Sequence, residues 1–502
     1  MKNVVLPWLF LATFIFCSQA VGEDKKPNVI FILTDNHGAW TLGSYGNKDI
    51  QTPNLDRMAS EGTQFMRAMS SNPVCSPTRA TFLTGLLPSQ HGIHSFLDQK
   101  YMMGDEAYYA LEEFETLPEI LHSEGYVCGL SGKWHLGDNM NPQDGFSYWA
   151  TMPRGGTSSM YDDPVILDGE LIEKSPKYMT DLWTEKGVEF IEQNKDQEKP
   201  FFLYLAYNGP YCLGNLLLRP PKNRWAEFYA DKLLPSFPRD TAHPWQYSNL
   251  SYHNNIDSIR RVAAEVSGVD DGVGTIFETL REYGLDEDTL VIFAGDQGWM
   301  GGQNGFFGMG DHTKPMAAHD MMMQIPLIFW QPGAVIAGQR NEMVTNYDFM
   351  PSVLSYLGLD ERIPEKPKLP GRNFAPILRG EEIPWETDMY YEMESCRSVR
   401  TENFKYVERR SPDGPGEFYD MKNDPMERFN LFGQKAHAEK QAELAEQLMH
   451  YFDYYADPKY DIWNGGGSKA KRHHAPKDHP DYREPKPKPW GATTKKPTIF
   501  IF

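Results

Sequence analysis

The run Asn28-Val29-Ile30-Phe31-Ile32-Leu33-Thr34 constrains the chain more than any other stretch. It is short, apolar and rich in β-branched residues, so it reads as a strand buried on both faces, as strands of parallel sheets are. Further strands are expected at Tyr126–Leu130, Phe201–Tyr207, Leu290–Ala294 and Leu327–Trp330. Helices are expected between them. One starts at Thr52-Pro53-Asn54, with proline in the first turn, and closes at Gly62. Others cover Thr116–Glu124 and Ser258–Tyr283, and a helix of about two turns from Pro77 to Leu83 follows Cys75. Strands alternating with helices predict an α/β fold, a large and mostly parallel sheet flanked by helices. In such folds chemistry gathers where strands end. Asp35-Asn36 follows the first strand and Asp296-Gln297 follows the one at Leu290–Ala294, distant in sequence but placed to meet in space.

After about residue 375 the texture changes. Short strands are expected at Met389–Glu394, Ser398–Thr401, Phe404–Glu408 and Glu417–Asp420, then a polar helix at Ala436–Tyr455. We divide the chain into a signal peptide (1–20), a catalytic domain (26–375), a smaller C-terminal α+β subdomain (376–464) and a tail (465–502). The signal reading rests on Lys2, the apolar run Val4–Phe16 and the small residues of Ser18-Gln19-Ala20. It predicts export, to a periplasm or the outside, without stable membrane insertion. The tail holds nine Lys or Arg against three acids, on a chain whose formal charge is −20. So acidic a body argues against nucleic acid as a partner. Apart from Cys17, in the signal, the cysteines are Cys75, Cys128, Cys212 and Cys396, too widely spaced for a disulfide framework.

Cys75 lies among polar residues and turn formers, in Cys75-Ser76-Pro77-Thr78-Arg79. With Ala80-Thr81-Phe82-Leu83-Thr84-Gly85 behind it, this stretch resembles the type I, formylglycine-dependent sulfatases of the alkaline phosphatase superfamily. Their C-x-P-x-R signature is read by a maturation enzyme, formylglycine-generating or anaerobic, that oxidises the cysteine to formylglycine (3-oxoalanine). The resemblance implies that Cys75 is modified and becomes the nucleophile. The hydrated aldehyde carries two hydroxyls on one carbon: one attacks sulfur, and the other, once deprotonated, collapses to expel sulfate. Arg79, one helical turn beyond Cys75, would orient the nucleophile and a metal-ligand carboxylate.

The pairs Asp35-Asn36 and Asp296-Gln297 offer oxygen ligands of the kind that suits a hard cation such as calcium. In the family these positions, with the modified cysteine, hold the metal. Asn36 and Gln297 depart from the usual residues, and Asn36 removes one negative charge. Gly132-Lys133-Trp134-His135-Leu136-Gly137 follows the strand at Tyr126–Leu130 and matches a family segment without change. Alternate residues of an extended stretch share a face, so Lys133 and His135 are expected to address one ligand. Lys133 would neutralise sulfate oxygen, and His135 would act as a base. In the loop after Asp296, Lys314 of Asp311-His312-Thr313-Lys314 stands where relatives keep a sulfate-binding lysine. Where relatives keep a leaving-group histidine, Ala206-Tyr207-Asn208-Gly209-Pro210-Tyr211 has Tyr211. Either Tyr211 donates a hydrogen bond there or His312 fills the role.

The implied reaction is hydrolysis of a sulfate ester on a sulfated carbohydrate, an extracellular polysaccharide or its oligosaccharides. Two alternatives stand beside it: a phosphonate or phosphate ester hydrolase of the same superfamily, and an inactive carbohydrate-binding pseudoenzyme. Sugar, sulfated hydroxyl and oligomeric state are left open.

Overall fold

The computed structural model describes residues 26–410 and 414–473; the predicted signal peptide and the tail from 474 onward lie outside the described residues. Strand β1 (Asn28–Asp35) is buried along its whole length. Its side chains alternate between two cores: Val29, Phe31 and Leu33 face one, while Ile30 and Ile32 face the other. This is the period of two that a strand covered on both faces must show.

Around it lie β2 (Thr63–Met69), β3 (Val127–Gly132), β4 (Phe146–Thr151), β5 (Val165–Leu167), β6 (Glu170–Ile172), β7 (Phe201–Pro210) and β8 (Thr289–Gly295). After a small hairpin of β9 (Met300–Gly301) and β10 (Phe307–Gly308) come β11 (Leu327–Trp330) and β12 (Gly338–Thr345). The ten-stranded sheet runs β12-β2-β11-β8-β1-β7-β3-β4-β5-β6. Its centre is parallel: β1 pairs with β7 and β8, and β3 with β4 and β7. Strand β11 is antiparallel to both its neighbours.

Helices α1 (Pro53–Glu61), α2 (Cys75–Thr84), α3 (Pro88–His91), α4 (Leu117–Ser123), α5 (Met179–Asn194), α6 (Trp225–Tyr229) and α7 (Ile256–Glu282) precede α8 (Asp320–Met323), α9 (Phe349–Tyr356) and α10 (Ala375–Leu378). Helices α1, α5 and α7 cover one face of the sheet, while α2, α4 and α9 cover the other. Caps set several boundaries. The Thr116 side chain accepts from Glu119 N at the start of α4, and the Asn255 side chain accepts from Asp257 N and Ser258 N at the start of α7.

Beyond α10, strands β13 (Met389–Met393), β14 (Cys396–Arg400), β15 (Phe404–Arg409) and β16 (Glu417–Asp420) form an antiparallel sheet in chain order. Helix α11 (Ala438–Tyr455) lays Leu444, Leu448 and Phe452 on it. The architecture is the α/β fold that strand–helix alternation predicts, with a smaller antiparallel unit. Cys75, Cys128, Cys212 and Cys396 are free and buried, and no described helix is long and apolar enough to cross a membrane.

The boundary at Cys75 differs from the sequence reading. Cys75 does not precede its helix; it is the first residue of α2, with Val74 extended ahead of it. Thr78 N donates to Val74 O at 3.2 Å, closing the first turn. Pro77 falls within that turn, where its missing N–H has no partner to lose.

Candidate active site

Four neighbouring strands, in the sheet order β8-β1-β7-β3, deliver one piece of the site each at their C-terminal ends. Strand β8 is followed by Asp296 and Gln297, β1 ends in Asp35 with Asn36 next, β7 leads to Tyr211, and β3 leads to Lys133. Asn36 takes a left-handed φ of 60°, a conformation asparagine tolerates better than most residues. This turn lets Asn36 N donate to Asp296 Oδ1 at 3.0 Å. At the end of β3, Gly132 has a φ of 117°, and a Cβ there would lie 1.9 Å from Ala206 O, so only glycine fits. The fifth piece is α2, whose N-terminus presents Cys75.

Ligating atoms of Asp35, Cys75 and Asp296 lie within 4.8 Å of one another, all three residues being buried. Two ion pairs, with side chains 0 % exposed, brace them: Lys133 Nζ to Asp35 Oδ2 at 2.5 Å and Arg79 Nη2 to Asp296 Oδ2 at 3.0 Å. Arg79 also donates through Nε to Asp296 Oδ2 at 3.2 Å and through Nη1 to Lys133 O at 2.7 Å. Arginine is thus a clip between the nucleophile helix, β8 and β3. Lys133 has three N–H protons, and the Asp35 bond takes one.

Electrostatics in this cluster are unfavourable as it stands. Asp296 is pushed up to about 7, first by burial and then by the charge of Asp35. Burial, followed by the Asp35 charge, also holds the Cys75 thiol well above its ordinary value. The thiol therefore stays protonated and donates to Asp35 Oδ1 at 3.2 Å. An unmodified Cys75 is a poor nucleophile in these surroundings.

The residues fit a hard cation. Gln297 turns its Nε2 toward Asn36 Oδ1 (2.6 Å) and Cys75 Sγ (3.2 Å), while its own Oε1 is buried without a hydrogen-bond partner among the described residues. Turning that amide over would point a carbonyl oxygen toward Asn36 Oδ1 and Cys75 and add to the carboxylate oxygens of Asp35 and Asp296, oxygen donors of the kind calcium takes.

His135 departs from the extended segment expected of it. Its φ is 62°, so the alternation linking it to Lys133 is broken, and the ring is placed instead by packing. A Cβ on Gly155 would meet its Nε2 at 1.9 Å, and the Leu97 backbone lies against the ring. Burial, and then the charges of Lys133 and Arg79, keep it neutral, and Nδ1 is buried without a hydrogen-bond partner among the described residues.

Tyr211 takes a left-handed φ of 39° and lies under Lys133, whose Nζ is 5.4 Å from the ring centroid. Burial, with Asp35 next, holds its phenol well above the ordinary value, so it keeps its proton. His312 Nδ1 accepts from Met309 N at 3.2 Å, which leaves Nε2 to carry the proton of the neutral ring. Its pKa is lowered by burial.

Lys314 is expected to meet sulfate rather than the acids, and it stands apart from them. No hydrogen bond or ion pair joins its side chain to Asp35, Cys75 or Asp296; its backbone N is bonded to Trp245 O at 2.8 Å. The residue of that loop which reaches the centre is Met309, whose Sδ is 3.4 Å from Gln297 Nε2. A thioether carries no chemical signature, so nothing in the sequence marks it. Asp311, whose Oδ1 is buried with no hydrogen-bond partner among the described residues, also escaped notice beside His312.

Fold and site together define an ester hydrolase built on an alkaline phosphatase-like sheet, with buried acids that could hold a cation. The sequence profile of the sulfatase family matches residues 27–359, and the chain belongs to that family. A second profile, N-sulphoglucosamine sulphohydrolase, C-terminal, matches residues 309–453. The chain is 26% identical to an N-acetylglucosamine-6-O-sulfatase of Bacteroides thetaiotaomicron, over 91% of each chain. It is 30% identical to the N-acetylgalactosamine-6-sulfatase of Homo sapiens, covering 72% of this chain and 67% of that one. A solved structure in complex with its substrate D-glucosamine-2-N,6-O-disulfate superposes with a TM-score of 0.67 at 26% identity, covering 86% of this chain and 98% of that one. The protein is a type I sulfatase.

Proposed function

We propose that this sulfatase removes sulfate from a sulfated carbohydrate, using a formylglycine made from Cys75 and a calcium ion held by Asp35, Asn36, Asp296 and Gln297. The observation that carries this reading is the convergence of two buried carboxylates and Cys75 within 4.8 Å, at the N-terminus of α2. Relatives that act on sulfated sugars support the substrate class. Once formed and bound, the modified residue would supply the attacking hydroxyl, and the cation would offset negative charge on nucleophile and sulfate.

The chain's own residues do the rest. Arg79 fixes Asp296 and the turn of Lys133. Lys133 directs its remaining protons to the sulfate, and His135, neutral, accepts a proton as the base of the second step. On the leaving side two groups bear protons: Tyr211 through its phenol and His312 through Nε2. Neither ionises alone here, but a departing sugar alkoxide is the stronger base, so Tyr211 or His312 hydrogen-bonds that oxygen and hands it a proton as the S–O bond breaks. Lys314, in the same loop as His312, would add a second cation for the sulfate.

The test is a Cys75 peptide analysis after co-expression with a maturation enzyme, joined to assays on sulfated mono- and oligosaccharides and on matched phosphate esters. Conversion of Cys75 with sulfate release is the expected result. An unconverted cysteine with no turnover of any sulfated glycan would leave a carbohydrate binder. A faster phosphodiester rate would move the protein to the phosphate or phosphonate branch.

A further inference from the structure

The loop between α3 and Leu97 runs beside the nucleophile. Leu97 N donates to Ser76 Oγ at 3.1 Å, next to Cys75, and the Leu97 backbone lies on the His135 ring. Phe96, one residue earlier, is turned partly to solvent.

The other end of the chain returns to this loop. After α11, Asp457 N donates to Ser89 O at 3.0 Å and Lys469 N to Gly92 O at 2.8 Å. Ser468 Oγ lies 3.3 Å from His94 Nδ1, and Tyr108 Oη donates to Lys469 O at 2.9 Å. This strap ends with the His473 ring stacked on Phe96, centroids 4.3 Å apart at 25°. Its anchors are backbone groups, neutral side chains, Lys469, whose Nζ donates to Ala110 O at 2.7 Å and pairs with Glu113 Oε1 at 2.5 Å, and Glu394, whose Oε1 accepts from the His473 backbone N at 2.8 Å. The Lys471 and His473 side chains are not needed to hold it. Lys471 is half-buried and without an ion-pair partner among the described residues, and the His473 side chain is exposed.

On a chain of formal charge −20, a basic group on the loop that packs against the nucleophile helix calls for a reason. The anchoring does not provide one, because hydrogen bonds to Gly92 and Ser89 would hold a neutral strap equally well. A polyanionic ligand does, since a local cationic edge draws an anion that the rest of the surface repels.

We propose that the strap is part of the substrate site: Lys471 and His473 form an outer subsite for a second anionic group of a polysulfated glycan, and the Phe96–His473 stack is a flat face against which a sugar ring packs. The subsite rests on the carbohydrate sulfatase reading and makes it specific, favouring a chain with several sulfates over a singly sulfated sugar.

The test uses the full chain and the double variant Lys471→Gln/His473→Gln; neither side chain carries a hydrogen bond that anchors the strap, so unchanged thermal unfolding is expected. Activity is read as the ratio of kcat/KM on a heparin-derived hexasaccharide to that on 4-nitrophenyl sulfate. The ratio is expected to fall about fivefold, through KM on the hexasaccharide, and the wild-type preference to shrink with added salt. A ratio that does not move would overturn the proposal. Calorimetric binding of the same hexasaccharide to the Cys75→Ala chain, with and without the double variant, separates this from failure of the functional reading. If the wild type hydrolyses nothing, a weaker affinity in the variant still supports the subsite, and an equal affinity removes it.

Discussion

Two buried ion networks, one at the strand ends and one under the small sheet, hold the same formal charges and are built differently. Under the small sheet, Lys405 Nζ donates to Asp320 Oδ1 at 2.8 Å, to Glu427 Oε1 at 2.7 Å and to Ala318 O. Arg400 Nε takes Asp320 Oδ2 at 2.8 Å, and Asp320 N takes Glu427 Oε2 at 2.6 Å. Every lysine proton and every carboxylate oxygen is used. At the strand ends Asp35 and Asp296 face Lys133 and Arg79 in the same two-against-two balance, yet Gln297 Oε1 is left over and a thiol fills the gap between the acids. Titration alone does not separate the two. Burial pushes Glu427 up to about 7, as it does Asp296. What separates them is satisfaction: a closed network is scaffold, whereas one with an orphaned carbonyl and a thiol at its centre keeps donor atoms free for a ligand.

Charge removal should expose that difference most. Against the push of burial, Lys405 and Arg400 hold Asp320 well below the usual carboxylate range. Asp320→Asn leaves two buried cations under-compensated and is expected to cost about 3–5 kcal/mol, with turnover per folded molecule retained. Asp296→Asn takes a partner from Arg79 but also removes a charge that burial and Asp35 oppose, so without added metal it should cost less than Asp320→Asn while sulfatase activity falls at least about a thousandfold. Urea unfolding at pH 7 with EDTA, paired with kinetics, reads both. Equal stability losses would mean that the two networks are alike.

A ligand should sharpen the contrast. Calcium at about a hundred times its Kd would stabilise the folded chain by about 2.7 kcal/mol. The gain should vanish in Asp296→Asn and persist in Asp320→Asn, measured as the shift in unfolding with calcium against EDTA. A calcium effect that survives Asp296→Asn would place the ion elsewhere.

The division between what was legible in the sequence and what was not follows the same line. Strands buried on both faces announce themselves by composition, so β1, β7 and β8, and the acids beyond β1 and β8, could be found before any coordinates. Helix α7 was legible through its apolar spacing. Positions set by non-local packing were not. His135 departs from the extended pattern because Gly132 and its own left-handed φ turn the chain, and the ring is placed by Gly155, which has no mark of function. Met309 could not be found because a short hairpin and a 3-10 turn at Gly310–His312, which no local pattern announces, bring it inward. The strap could be seen only as a basic tail, since its hydrogen bonds to Gly92 and Ser89 span most of the chain.

The smallest effect concerns His319, at the edge of the closed network. Its ring faces Phe306 at 4.9 Å and Tyr419 at 5.9 Å. Its pKa is lowered to about 4, by burial first, with Glu417 opposing and Lys405 adding to the drop. Between pH 4 and the ordinary histidine value near 6.5, the folded chain therefore binds fewer protons at this site than the unfolded chain. The contribution is complete above that ordinary value and is lost as pH falls toward 4. Going from pH 7 to pH 5 should cost about 2 kcal/mol through this residue alone. His37 and His94, lowered to about 3 and about 4, impose slopes of the same sign, so the wild-type pH profile cannot isolate one of them. The difference between wild type and His319→Gln can, because the other two are common to both. Urea unfolding at pH 7 and pH 5 should show the gap between the two proteins changing by about 2 kcal/mol in favour of the variant at the lower pH. A gap that stays constant would mean that His319 is charged in the folded protein, and that the network beside it is less closed than its hydrogen bonds indicate.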